Sequence, residues 1–120
     1  MKTWAVVGLG NNPERAAFGV AKLLQDKGHR IVPVYPRAET VHGEVGYKML
    51  SEIPGPIDVV DCFVNSTLVG KVVDEAIAIG AKAVWLQLDV IDHEAIARAQ
   101  AAGLLTVMDR CPAIEYRKKN

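Results

Sequence analysis

The chain has 120 residues, 50% of them hydrophobic, and its 14 basic and 14 acidic side chains cancel. That is enough apolar mass for one core without metal or disulfide staples, and the charge balance argues against duplex nucleic acid or an anionic membrane as partners. No apolar stretch approaches the ~20 residues of a bilayer span, and Cys62 and Cys111 lack metal-ligand spacing, so a reduced, cytoplasmic, single-domain protein over residues 1–120 is expected.

In chain order, short runs of Val, Ile and Leu alternate with longer segments of helical period, the rhythm of βαβ units. The first strand is expected over about residues 3–7, and a helix from about Pro13 to Lys27, stopped by Gly28. A second strand follows over about residues 31–34. Between Pro36 and Pro56 the pattern breaks, with one short helical candidate from about Tyr47 to Glu52, so this crossover is expected to be truncated. A third strand over about residues 58–64 leads into a helix from about Thr67 to Ile79, closed by Gly80. A fourth strand over about residues 83–88 precedes a helix capped by Asp92, and Gly103 precedes a fifth strand over about residues 104–108. The basic run Arg117-Lys118-Lys119 reads as a solvated tail. Strands apolar on both faces mark a buried parallel sheet. The fold class is therefore α/β, a Rossmann-like doubly wound sheet of about five strands, most simply in the order 3-2-1-4-5, with a ligand crevice where the winding reverses beside strand one.

The turn Gly8-Leu9-Gly10-Asn11-Asn12-Pro13-Glu14-Arg15 leaves the first strand and enters the first helix. Gly8 and Gly10 allow close backbone approach, Asn12 is placed to cap the helix, Pro13 suits its first position, and free N–H groups there favour a phosphate, with Arg15 one turn on. A turn using glycine only for steric reasons is the alternative. Pro13 replaces the third glycine of the dinucleotide fingerprint, and the acid expected at the end of strand two is missing from Pro33-Val34-Tyr35-Pro36-Arg37. Arg37 suits a phosphorylated ribose instead, which coenzyme A and NADP both carry, or else is a solvated surface residue.

Together with Trp85-Leu86-Gln87-Leu88 and Met108-Asp109-Arg110-Cys111, these segments resemble the motifs of the stand-alone CoA-binding domain proteins, in order and spacing over nearly the whole chain. That family is similar to the amino-terminal CoA-binding domain of the succinyl-CoA synthetase α subunit and of related acyl-CoA synthetases. The resemblance implies that Gly8, Leu9, Gly10, Asn11, Asn12 and Arg15 hold the coenzyme's phosphates. Val34, Tyr35, Pro36 and Arg37 would flank its adenosine end, with Phe63, Val64, Asn65 and Gln87 along the other wall. Four positions depart from the family pattern: Ala17 and Gly19 replace a hydroxyl and a larger, often basic residue, Asn65 a frequent arginine, and Asp89 a usual glycine. These changes point to weaker binding or a different ligand.

Cys111, beside Arg110, is a candidate for redox or acyl-carrier chemistry if the guanidinium lowers its pKa, or else a packed structural residue. Cys62, Trp4 and Trp85 read as core or interface residues, and His29, His42 and His93 as surface polar groups. No Ser/His/Asp set, acid pair beside a nucleophile or metal-ligand cluster emerges. The expected function is a non-catalytic or CoA-responsive module binding coenzyme A or an acyl-CoA, alone, as a homo-oligomer or beside a partner enzyme. An NADP-dependent oxidoreductase and a scaffold with a decayed pocket are the alternatives.

Overall fold

The computed structural model describes residues 2–119, with side chains through Glu115. Strands Thr3–Val7 (β1), Arg30–Val34 (β2), Val59–Cys62 (β3), Ala83–Leu86 (β4) and Leu105–Val107 (β5) form one parallel sheet. Helices Ala16–Asp26 (α1), Ser66–Ala78 (α2), His93–Ala101 (α3) and Pro112–Lys119 (α4) pack around it. The sequence pattern does not anticipate α4, although Pro112 stands at its first position, where a missing N–H costs nothing. The expected solvation of Arg117, Lys118 and Lys119 concerns side chains outside the described residues.

The strand order is β2-β1-β3-β4-β5, a close match to the expected 3-2-1-4-5. In both orders the winding reverses beside β1, but β3 lies between β1 and β4 rather than outside β2. The outer edge of β2 is already occupied: Tyr47 bridges Val34, donating its N–H to Pro33 O (2.9 Å) and accepting from Tyr35 N–H (3.0 Å). Pro33, with no N–H to offer a ladder, fits that edge.

Alternation along the strands sends side chains to two apolar layers. Ala5, Val7, Val32, Val34, Val60, Cys62, Val84 and Leu86 meet Val69, Val73 and Ala76 of α2 and Ala95 and Ala99 of α3. Trp4, Val6, Ile31 and Val59 meet Ala17, Val20, Ala21 and Leu24 of α1, with Leu9 and Val41. The truncated crossover between β2 and β3 contains a 3₁₀ turn, Leu50–Glu52, in the region expected to be helical. It plugs the α2 layer with Leu50, Ile53 and Ile57, and Glu75 accepts the Leu50 N–H (2.8 Å).

Asp92 caps α3 as expected, accepting from Ala95 N–H (3.0 Å), and Asn65 does the same for α2 through Thr67 N–H (2.9 Å). Two of the histidines are more than surface groups. His29 is half-buried with its ring 5.8 Å from that of Trp4, and burial together with nearby positive charge lowers its pKa. His42 is half-buried against Phe18, ring to ring at 4.3 Å, with Nε2 2.8 Å from Phe18 O. His93 is exposed at the start of α3.

Candidate functional site

The reversal of winding between β1 and β3 leaves the carboxyl ends of the strands uncovered, and the glycine turn is built into that opening. Gly8 has φ +97°, a value side-chain-bearing residues rarely adopt, and a Cβ on it would lie 2.3 Å from Phe63 O. Its N–H bonds Val34 O (2.8 Å) while Phe63 N–H bonds Val7 O (2.8 Å), so the turn is pinned between β2 and β3. Gly10 faces the opening, where a Cβ would sit 2.9 Å from Glu39 Oε1 and 3.4 Å from the Tyr35 ring.

The helix starts later than the sequence suggests. Asn12 accepts the N–H of Glu14 through its side chain (3.0 Å) and that of Arg15 through its carbonyl (3.0 Å). Asn12 thus closes a local turn, and α1 begins at Ala16 without a side-chain cap. The extra turn lengthens the loop over the crevice and places Arg15, rather than a capping asparagine, at the helix entrance.

Three adjoining cavities run along the carboxyl edge. The first, about 300 Å³, is lined by Gly8, Gly10, Asn11, Asn12, Arg15, Tyr35, Arg37, Glu39 and Phe63. The second, about 400 Å³, shares Gly8, Arg15 and Phe63 with it and adds Ala16, Ala17, Val64, Asn65, Gln87, Leu88 and Val90. The third, about 250 Å³, continues from Leu88 to Met108, Asp109, Arg110, Cys111, Ile114 and Glu115. Eleven of the fourteen anticipated residues therefore line one trough, eight in the first cavity and three more in the second. Leu9 and Val34 do not: their side chains are buried in opposite apolar layers, Leu9 with Trp4 and α1, Val34 with α2, leaving only backbone at the turn. Pro36 is exposed and lies outside the lining.

The first cavity holds two guanidinium groups, and among the described residues neither Arg15 nor Arg37 is in an ion pair. In the second, Gln87 is 5% exposed and its Oε1 has no hydrogen-bond partner among the described residues. A buried, unmet acceptor beside a cavity is matched to a donor from a ligand or water. Asp89, in place of a glycine, takes φ +69°, and its N–H bonds the Asp109 carboxylate (2.6 Å). That left-handed backbone accounts for a glycine being suited to the position. Cys111 is half-buried in the third cavity, where Arg110 pairs with Glu115 (3.4 Å) and accepts from Trp85 Nε1–H through its carbonyl (2.7 Å). Glu115 is thus the partner the structure gives the Arg110 guanidinium. Cys62 is buried, and burial plus the neighbouring Asp61 push its thiol far above the usual range. No group of described residues has the makings of a metal site.

Sequence reasoning missed Glu39. The acid expected at the end of β2 is absent there, yet Glu39 folds back from the loop and lines the first cavity beside both arginines.

A family model described as a CoA binding domain matches residues 2–117. The chain belongs to the CoA binding domain family. Within reach of that family, it is 36% identical over 115 residues to the uncharacterized protein YneT of Bacillus subtilis (strain 168), a match covering 96% of this chain and 85% of that one. It is 35% identical over 81 residues to the ADP-forming acetate–CoA ligase II subunit alpha of Pyrococcus furiosus, covering 67% of this chain and 18% of that subunit. A solved structure of a hypothetical protein from Pyrococcus horikoshii OT3 superposes with a TM-score of 0.93 at 40% identity, covering 98% of this chain and 82% of that one. The CoA binding domain of this chain is thus also a segment type found within a larger ligase subunit. Among its described residues no helix is long and apolar enough to cross a membrane.

Proposed function

We propose that the trough binds coenzyme A or an acyl-CoA, and that the chain is a binding or CoA-responsive module rather than a catalyst. The observation that carries this is the pair of guanidinium groups, Arg15 and Arg37, which form no ion pair among the described residues and flank a glycine turn whose cavity adjoins a larger, less charged one. Coenzyme A has the same sequence of chemistry: a phosphorylated ribose and a diphosphate at one end, then a neutral chain with two amides.

In this reading the Gly8 to Asn12 turn and Arg15 hold the diphosphate. Among the described residues the N–H groups of Gly10 and Asn12 make no hydrogen bond, so they are available to an anion. Arg37 takes the ribose phosphate, with Tyr35 beside it and the backbone of Val34 and Pro36 behind. Phe63, Val64 and Asn65 wall the neutral chain, and the orphan Gln87 Oε1 accepts one of its amide N–H groups. Asn65 spends its side-chain oxygen on capping α2, so it offers less to an anion than an arginine there would. Ala17, in the α1 layer, and the exposed Gly19 likewise bring no donor, which leaves Arg15 and Arg37 carrying most of the charge recognition. The likeness to part of an acetate–CoA ligase subunit supports the ligand class. Any group-transfer chemistry would come from a partner polypeptide, and a reducing cytoplasm is the proposed setting for the two free thiols.

A thermal-shift panel separates the readings. CoA and acetyl-CoA are expected to raise the unfolding midpoint by several degrees at saturating concentration, and NADP and NAD to do so much less. Stabilisation by NADP above that by CoA would favour an oxidoreductase, and no stabilisation by any of the four a scaffold.

A further inference from the structure

The glycine turn is not empty of negative charge. Glu39 Oε1 accepts the N–H of Asn11 at 3.2 Å and stands where a side chain on Gly10 would otherwise reach, so its carboxylate lies across the turn. The same carboxylate lines the first cavity with Arg15 and Arg37.

The segment that carries it is fixed at several points. Ala38 and His42, on either side, both have left-handed backbone, with φ 50° and 53°. Val41 is fully buried against α1, and Gln25 Nε2–H donates to His42 O (3.0 Å). Asn11 ties back to Thr40 O through its side-chain amide. Gly46 packs so closely on the Glu39 carbonyl that a Cβ there would fall 2.1 Å from it. The backbone is thus held, and what remains to move is the Glu39 side chain.

We propose that Glu39 is a built-in competitor for the ligand's phosphate, an internal carboxylate that occupies a turn N–H and must rotate away before a phosphate can take its place. The inference rests on reading the turn as an anion site. Its consequence is a threshold for binding. A single phosphate gains too little to displace a carboxylate already tethered there, whereas a ligand that engages the turn, Arg15 and Arg37 together gains enough. Glu39 therefore raises the threshold for binding.

The test is titration calorimetry of the full chain and its Glu39→Gln variant with CoA and, separately, with inorganic pyrophosphate. Glutamine keeps the length and the carbonyl acceptor for Asn11 and removes only the charge, so the fold is retained. The variant is expected to bind both ligands about three- to tenfold more tightly, with the gain shrinking at high salt because it comes from a charge. Glu39→Asp, which draws the carboxylate back by one methylene, should show a smaller gain and serves if the glutamine variant does not fold. Tightening toward pyrophosphate alone, with no CoA binding by either protein, would uphold the role of Glu39 and reject coenzyme A as the ligand. Unchanged or weaker binding of both ligands, or no binding of either, would overturn the proposal and make Glu39 a clamp on the turn.

Discussion

Asp61→Asn is expected to be more stable than the wild-type protein at pH 8 and close to it at pH 4. Asp61 stands in the middle of β3, level with Val6 of β1 and Trp85 of β4, and is fully buried. Among the described residues neither of its carboxylate oxygens has a hydrogen-bond partner. Burial alone holds its pKa well above the usual carboxylate range. Below the unfolded-state pKa both states carry the proton and the full stability is present. Above it the unfolded chain loses the proton while the folded one keeps it, so stability falls as pH rises, by about 1.4 kcal/mol per unit, until the raised folded pKa is passed. Asparagine has nearly the same shape and does not titrate, so its unfolding free energy should lack this slope. Urea unfolding followed by the fluorescence of Trp4 and Trp85, whose rings lie 5.6 Å apart on the same face, measures both curves. Equal pH slopes for the two proteins would show that Asp61 is solvated or paired.

Arg37→Ala is expected to cost about tenfold in affinity for CoA and little for dephospho-CoA. A charge-assisted hydrogen bond is worth roughly 1.5–3 kcal/mol, or about ten- to a hundredfold, and the exposure of Arg37 places the effect at the lower end. A guanidinium can pair two of its N–H groups with one phosphate, which lysine cannot imitate. Calorimetry with both ligands on both proteins closes a cycle, and an unchanged preference for CoA in the variant would move the ribose phosphate away from Arg37.

Much of this was legible in the residues, because the strong signals are local. The glycine turn, the Asp92 cap and the stops at Gly28, Gly80 and Gly103 depend on neighbours a few positions away, and each lies where the pattern places it. Strand order depends on contacts that the pattern does not encode. Pro33 within β2 was a usable sign of an edge strand, and the structure shows why, since the outer side of that strand is served by Tyr47. The start of α1 was misplaced because Asn12 has two local uses, helix cap or turn closure, that look alike in sequence. Asp61 is an acid inside an apolar run, and only the flanking strands reveal that no described residue hydrogen-bonds its carboxylate. Glu39 gave no local signal at all. Its place over the turn is set by the Val41 anchor and the close packing at Gly46, both products of loop closure.

Whether the glycine turn and the trough beside it hold coenzyme A is decided by titration calorimetry of CoA into the wild-type protein and Gly10→Val. Gly10 has a backbone that other residues can adopt, and its new side chain would meet the end of Glu39 and the edge of Tyr35, so the variant is expected to fold. One CoA per chain is expected for the wild type, and at least tenfold weaker binding for a Gly10→Val protein whose unfolding midpoint is little changed. Equal affinity in a folded variant, or no heat of binding in the wild type, would contradict coenzyme A binding at the turn.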